Sequence, residues 1–150
     1  MKMSDANNLI LSNRLFFEEI TKLIHQGKNV AINPRGNSMR PLVHPHTDKI
    51  LLQPLNEKSF EKGNIVLAKT KYGKYVVHRI EKIQENTIIL RGDGNPYGRE
   101  KCPKENIVAE VTAIYKKNRK ITKDSFWWNV TKNYWSHNAL IRKICLAIYK

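Results

Sequence analysis

Residues 29–115 form a succession of short aliphatic and β-branched runs separated by turn residues. The runs with the composition of strands are 29–33, 49–53, 64–69, 74–83, 87–91 and 107–115. Runs of this length between clusters of Gly, Pro, Asn and Asp are typical of antiparallel strands, and they are too short for most helices. We therefore predict a mainly β fold, in which one antiparallel sheet is curled or closed into a barrel.

The segment ahead of these runs has helical spacing. Apolar residues such as Ile20 and Ile24 recur at intervals that place them on one side of a helix, and Gly27 is suited to end it. We predict an N-terminal amphipathic helix in residues 1–28, followed by a β domain in residues 29–116.

Positive charge is concentrated in the last part of the chain. The formal net charge is +14, and residues 116–150 contribute nine basic side chains and one acidic side chain to it. Residues 117–150 are predicted to form a basic, aromatic, helical tail, because residues 125–150 return to helical spacing. Such a tail would either lie on an anionic membrane surface or pack its apolar side on the β domain.

The composition excludes several classes of protein. Cys102 and Cys145 lie in unrelated contexts and in no Cys/His cluster, so we expect neither a disulfide scaffold nor a metal site, and we expect no cofactor. No apolar run reaches the ~18 residues that span a bilayer, and the start of the chain lacks the pattern of a secretory signal. We expect a cytoplasmic protein that is either free or peripheral on the inner membrane face.

Residues 36–41, Gly-Asn-Ser-Met-Arg-Pro, are the first candidate site. By themselves they are ordinary turn residues. The alternative is a catalytic serine, Ser38, on a rigid corner. Gly36 would let the backbone pass closely, so that the amides of Asn37 and Ser38 converge on a carbonyl oxygen, and Met39 would anchor the turn in the core.

His78 is the second candidate and lies in the run 74–83. Side chains alternate along a strand, so His78 would share a face with Val76 and Ile80, where a histidine is most often a hydrogen-bonded core residue. Burial on that face would also lower the pKa of the imidazole and keep it neutral at pH 7, as a general base requires. His78 is therefore the candidate base for Ser38.

The third candidate is the turn Gly-Asp-Gly-Asn at residues 92–95, directly after the run 87–91. Its simplest interpretation is a tight turn, in which glycine takes positive φ and the polar side chains bond their own backbone. Alternatively, Asp93 would orient His78 from an adjacent strand and complete a set of nucleophile, base and orienting carboxylate.

The order of these segments resembles the signal peptidase I family. In chain order the matching segments are the serine turn with Met39 and Pro41, residues 63–66 (Gly-Asn-Ile-Val), residues 77–79 (Val-His-Arg), the turn at 92–95 and residues 108–114. The resemblance covers residues 30–115 and extends to the wider S24/S26 group of serine peptidases, which includes LexA-type repressors. The pair His78-Arg79 is similar to the histidine-type branch of the family, because the bacterial branch has lysine in place of the histidine.

The resemblance implies catalytic roles for individual residues. Ser38 would be the nucleophile, His78 the general base, and Asp93 the aspartate of the family's Gly-Asp-x-Asn turn. Histidine-type members also have a further Asp where Arg99 and Glu100 stand in this chain. The resemblance therefore leaves the third catalytic residue open.

The oxyanion site implied by the resemblance is made of backbone. Gly36 stands where many signal peptidases have a serine whose hydroxyl supports the oxyanion. The amides of Asn37 and Ser38 would have to suffice here, with Gly36 and Met39 completing the wall that faces the substrate.

The implied activity is that of a serine endopeptidase that cuts a leader or precursor peptide after small side chains, with the substrate extended beside a strand. Two alternatives stay open, namely a catalytically inactive peptide-binding module of the same fold and a LexA-like regulatory protein. The basic charge suits nucleic acid, but residues 1–29 offer one helix where a helix-turn-helix needs two. A peptide or protein substrate is therefore the expected partner.

Overall fold

Eight strands form the body of the protein in the computed structural model, which describes residues 3–95, 98–135, 140 and 143–144. The strands are β1 (Val30–Ile32), β2 (Lys49–Gln53), β3 (Ile65–Lys69), β4 (Tyr75–Gln84), β5 (Thr87–Arg91), β6 (Glu100–Pro103), β7 (Ile107–Lys116) and β8 (Arg119–Thr122). Helix α1 (Met3–His25) precedes the sheet, and helix α2 (Phe126–Val130) follows it and continues into a π-helical turn (Thr131–Trp135). Short 3-10 turns precede β3 (Glu57–Ser59) and β7 (Lys104–Asn106).

Six of the eight strands fall on the predicted runs, and β2 and β5 have the predicted bounds. The sequence does not predict β6 or β8. Each of them has four residues and only one buried apolar side chain, Cys102 in β6 and Ile121 in β8, which is too weak a pattern to identify a strand. They become strands because β5 and β7 offer them backbone partners.

The strand order is β1-β2-β7-β3-β4-β5-β6, with β8 paired to β7 beside this path, and each of these pairings is antiparallel. The path ends at β1 and at β6, so the sheet is open, and the prediction of a barrel is corrected to a curled sheet. Register shifts between β2 and β7, between β3 and β7 and between β4 and β5 mark β-bulges. Bulges bend and twist strands, which curls the sheet without closing it.

Both faces of the sheet are buried, because alternate side chains of the central strands enter two different cores. Leu67 and Val77 belong to the larger core, and Val76 and Ile80 belong to the smaller one. The alternation predicted for β4 is confirmed, and it directs His78 to the side of the smaller core.

Helix α1 covers the larger core with Ile20 and Ile24, each of which is 3% exposed. Its end is a Schellman motif, in which the Lys28 amide donates to the Leu23 carbonyl (3.1 Å) and the Gly27 amide donates to the Ile24 carbonyl (2.9 Å). Gly27 has φ 82° there, a conformation that glycine adopts without strain. The predicted helix and its end at Gly27 are confirmed.

The tail begins by packing on the sheet. Trp128 is 1% exposed within the larger core, whereas Phe126 and Trp127 are exposed. The tail is predicted either to lie on a membrane surface or to pack on the β domain. Trp128 packs on the β domain. Most of the later apolar residues of the predicted tail lie outside the described residues. Within the described part of the chain, no helix combines the length and the apolar character needed to cross a membrane.

Candidate functional site

The serine turn lies between β1 and β2 and is held by its own backbone and by the core. Gly36 has φ 78°, in the left-handed region that favours glycine. The Arg40 amide donates to the Asn37 carbonyl at 3.2 Å. Met39 is 5% exposed within the larger core, so its side chain anchors the turn. Ser38, one residue earlier, is half-buried at the surface of the turn.

The turn at residues 92–95 lies directly against the serine turn. The Gly94 amide donates to the Ser38 carbonyl at 2.6 Å. A Cβ on Gly92 would lie 2.5 Å from the same carbonyl oxygen, and a Cβ on Gly94 would overlap the Asn37 carbonyl oxygen. Neither Gly92 nor Gly94 has the positive φ expected for a tight turn. Both positions require glycine for a different reason, which is the close approach of two backbones.

His78 faces Ser38 from β4. The position that a Cβ on Gly92 would occupy is 3.1 Å from Ser38 Cβ and 3.2 Å from His78 Nε2. Both side chains therefore border the same small space, and the absence of a side chain on Gly92 keeps that space open. The structure thus brings together two candidates that the sequence separates by 40 residues.

The imidazole of His78 is held in its neutral form. His78 is 6% exposed, and this burial lowers its pKa from the ordinary value of 6.5. The negative charge and the hydrogen bond of Glu100 act in the opposite direction but do not cancel the effect of burial. A neutral imidazole can accept a proton at pH 7, as a general base must.

Glu100 contacts the imidazole from β6. Its Oε2 lies 2.8 Å from His78 Nδ1. Glu100 is opposite Leu90, and Leu90 is opposite Ile80, so all three side chains lie on the face of the sheet that carries His78. When Nδ1–H donates to this carboxylate, Nε2 is left as the acceptor that faces Ser38.

Asp93 forms a buried ion pair with Arg79. Arg79 Nε and Nη2 donate to the two carboxylate oxygens of Asp93 at 2.9 Å and 2.8 Å. Arg79 is opposite Arg91 in β5, and extending this register by one residue places Gly92 opposite His78 and turns Asp93 toward the side of Arg79. The hydrogen bond to His78 predicted for Asp93 is made by Glu100 instead, and the negative charge of Asp93 still raises the pKa of the imidazole.

Arg79 connects the candidate site to two further segments. Its Nη1 donates to the Gly63 carbonyl at 2.7 Å, and its Nη2 donates to Thr131 Oγ1 at 3.1 Å. Arg79, Asp93 and Thr131 are all buried. The guanidinium of Arg79 therefore binds the turn at residues 92–95 through Asp93, and it binds the residue that follows α2 through Thr131.

Replacing Glu100 by glutamine should lower the pKa of His78 further while leaving the fold intact, because the amide keeps the shape of the side chain but carries no negative charge to stabilise the imidazolium. NMR titration of the His78 ring measures the shift, and circular dichroism checks the fold. Glu105→Gln, on an exposed glutamate of the same region, is the matched control. An unchanged pKa in Glu100→Gln would remove Glu100 from the candidate site.

Comparison with known proteins identifies the family of this chain. A family model described as Peptidase S24-like matches residues 5–113, well over half of the chain, and this range includes nearly all of α1, β1 to β6 and most of β7. No curated protein matches. No solved structure matches.

Proposed function

Because the chain belongs to the Peptidase S24-like family, we propose that it is a serine endopeptidase in which Ser38 is the nucleophile and His78 the general base. The observation that carries the proposal is the convergence of Ser38 Cβ and His78 Nε2 on the space beside Gly92. The buried, neutral imidazole with a carboxylate on its far nitrogen is the second support. Together these three side chains form the arrangement of nucleophile, base and orienting acid.

In the proposed mechanism His78 Nε2 takes the hydroxyl proton of Ser38 while Ser38 Oγ attacks a peptide carbonyl. The imidazolium that forms is stabilised by Glu100 at Nδ1. His78 then gives the proton to the leaving amine, the C–N bond breaks, and an acyl-enzyme remains on Ser38. Water, deprotonated by His78, releases the acid and restores Ser38.

Backbone amides hold the oxyanion in this mechanism. Within the described part of the chain, the amides of Asn37 and Ser38 donate no hydrogen bond, whereas the Arg40 amide, two residues after Ser38, donates to the Asn37 carbonyl. The positive φ of Gly36 and the buried side chain of Met39 hold this segment in one conformation. Fixed donors aimed at a developing charge are the most effective form of such stabilisation.

The substrate we propose is an extended peptide segment with small side chains before the cut, as in a leader or precursor peptide. The support is the resemblance of residues 30–115 to the signal peptidase I family. His78 makes the chain similar to the histidine-type branch of that family, since the bacterial branch has lysine at this position. We also propose that the tail at residues 125–150 brings the enzyme to an anionic membrane surface. Exposed Phe126 and Trp127 support this, because aromatic rings favour the interface of a bilayer.

The test is a panel of peptides with small residues before the scissile bond, assayed with and without anionic vesicles. Wild-type protein should cleave at least one of them, vesicles should raise the rate, and Ser38→Ala should cleave none. Binding of peptides by wild type and by Ser38→Ala with equal affinity and no cleavage would identify the inactive peptide-binding module instead. Salt-sensitive binding of DNA without peptide cleavage would favour the regulatory alternative.

The rate should fall on the acid side of the pH profile, because protonated His78 cannot accept the hydroxyl proton. The pKa of His78 is lowered from 6.5, so kcat/KM should reach half of its maximum at a pH below 6.5. Below that midpoint kcat/KM should fall about tenfold for each unit by which the pH decreases. A profile of kcat/KM from pH 4 to 9, with circular dichroism at each pH as a check on folding, measures this. A midpoint above 6.5 would contradict the neutral, buried base.

A further inference from the structure

A cavity of about 480 Å³ is lined by Arg79, Ile80 and Glu81 of β4, and neither Ser38 nor His78 is part of its lining. Its wall is rich in positive charge. Its cationic side chains are those of Lys62, Arg79, Arg91, Arg99 and Lys132. Among the residues that the structure describes, two carboxylates, Glu81 and Asp93, line the same cavity, so the described wall has three more cationic than anionic side chains.

The two carboxylates hold the guanidinium groups in place. Asp93 accepts the two hydrogen bonds from Arg79 described above, and Glu81 accepts from Arg91 (3.2 Å) and from Arg99 (2.6 Å and 3.1 Å). Burial raises the pKa of Glu81, but the hydrogen bonds and charges of Arg99 and Arg91 outweigh this and lower it, so Glu81 is charged. The buried guanidinium groups of Arg79 and Arg91 are thus held in place before any ligand arrives, and the half-exposed Arg99 is paired at the rim.

The tail closes one side of this cavity with Lys132. A Cβ on Gly63, which has φ 95°, would lie 2.5 Å from Lys132 Cε and 2.7 Å from Lys132 Cγ. The aliphatic part of Lys132 is therefore packed on Gly63, and the Lys132 side chain forms part of the cavity wall. Lys62, beside Gly63, is exposed at the same wall.

We infer that this cavity binds a phosphate group, carried either by a soluble phosphate compound or by a phospholipid headgroup. Arginine forks and lysine ammonium groups are the side chains that recognise phosphate oxygens, the former in bidentate geometry and the latter as point charges. A wall with three more cations than carboxylates lowers its own electrostatic repulsion when it takes up an anion. The volume admits a phosphate together with part of the molecule that carries it.

The decisive experiment is isothermal titration of the full chain with inorganic phosphate, using sulfate-free buffer of low ionic strength. Wild type should bind phosphate, and Lys62→Gln/Lys132→Gln should bind it about tenfold or more weakly, because two charges are lost from the wall. Lys62→Gln alone should bind phosphate with an intermediate affinity. Because Lys62 is exposed, this substitution should not affect folding. Lys71→Gln/Lys117→Gln removes the same charge from exposed positions outside the cavity wall and should bind like wild type.

Vesicles of phosphatidylglycerol and of phosphatidylcholine distinguish the two sources of the phosphate group. If the cavity variants lose sedimentation with phosphatidylglycerol vesicles and the control pair does not, the headgroup is the ligand. If only the titration with inorganic phosphate responds, a soluble phosphate compound is the ligand. Equal phosphate affinity of wild type, cavity variants and control, or no binding by wild type, would overturn the inference. Peptide cleavage by Lys62→Gln is expected to be unchanged, so this result is separable from failure of the peptidase proposal.

Discussion

Ser38→Ala should reduce kcat/KM for peptide cleavage by a factor of about 10⁴ to 10⁶, because removal of the proposed nucleophile leaves only substrate binding and oxyanion stabilisation. The fold should persist. The Ser38 side chain is half-buried. The hydrogen bond that stabilises its turn is donated by the Gly94 amide to the backbone carbonyl of Ser38, which the substitution leaves in place. The change should appear in kcat with little effect on the melting temperature. Steady-state kinetics on the best peptide of the panel, with thermal melting of the same samples, measures both.

A second substitution at His78 makes this prediction sharper. Nucleophile and base act as one unit, so Ser38→Ala/His78→Ala should be no slower than the slower of the two single variants, within about threefold. Ser125→Ala, in the loop ahead of α2, is the matched serine control and should keep wild-type kcat. Multiplicative losses in the double variant would mean that Ser38 and His78 contribute independently, which would contradict a dyad.

Asp93→Ala should lower the free energy of unfolding by about 3 to 5 kcal/mol, because it leaves the Arg79 guanidinium buried without its carboxylate. The side chains of Arg79 and Asp93 are 4% and 2% exposed, so solvent screens their interaction little. Arg79→Ala should destabilise the protein by a similar amount, since it also removes the donors to Gly63 and Thr131. Urea unfolding followed by circular dichroism measures the differences.

The double variant Arg79→Met/Asp93→Ala tests whether the loss comes from the uncompensated charge. It should be more stable than Asp93→Ala alone, because the unpaired guanidinium is gone. Lys22→Ala breaks an exposed ion pair with Glu19 on α1 and should change the stability by well under 1 kcal/mol, which makes it the surface control. The prediction is contradicted if Asp93→Ala has wild-type stability and a large shift in the pKa of His78. That result would mean that Asp93 orients His78, as the sequence predicts.

The strands could be predicted from the sequence because their signal is local. Runs such as Ile65–Lys69 and Thr87–Arg91 alternate between two buried faces and are bounded by turn residues, so a few adjacent side chains are enough to identify them. The end of α1 is local too, since Gly27 alone supplies the left-handed conformation of the C-terminal motif. β6 and β8 lack such a pattern and exist through pairing with their neighbours.

The candidate site could be predicted only in part from the sequence. Ser38 and His78 could be selected because each stands in a distinctive neighbourhood and because their order matches a known family. The sequence does not single out Glu100, because the resemblance to the histidine-type branch places a further acid where the chain has an Arg and a Glu in succession. Only the register of β6 on β5 decides which of the two points at the imidazole.

The sequence by itself determined that this chain forms an antiparallel sheet with a helix ahead of it, and it named the serine and the histidine that the structure brings together at the candidate site. These properties depend on short-range patterns of burial, turn formation and charge. The tertiary structure alone decided that the sheet is open, that Asp93 supports Arg79 and that Glu100 faces His78. The physical reason is that a contact across strands depends on register, and register is settled by the packing of both cores and by the bulges between strands rather than by any one segment.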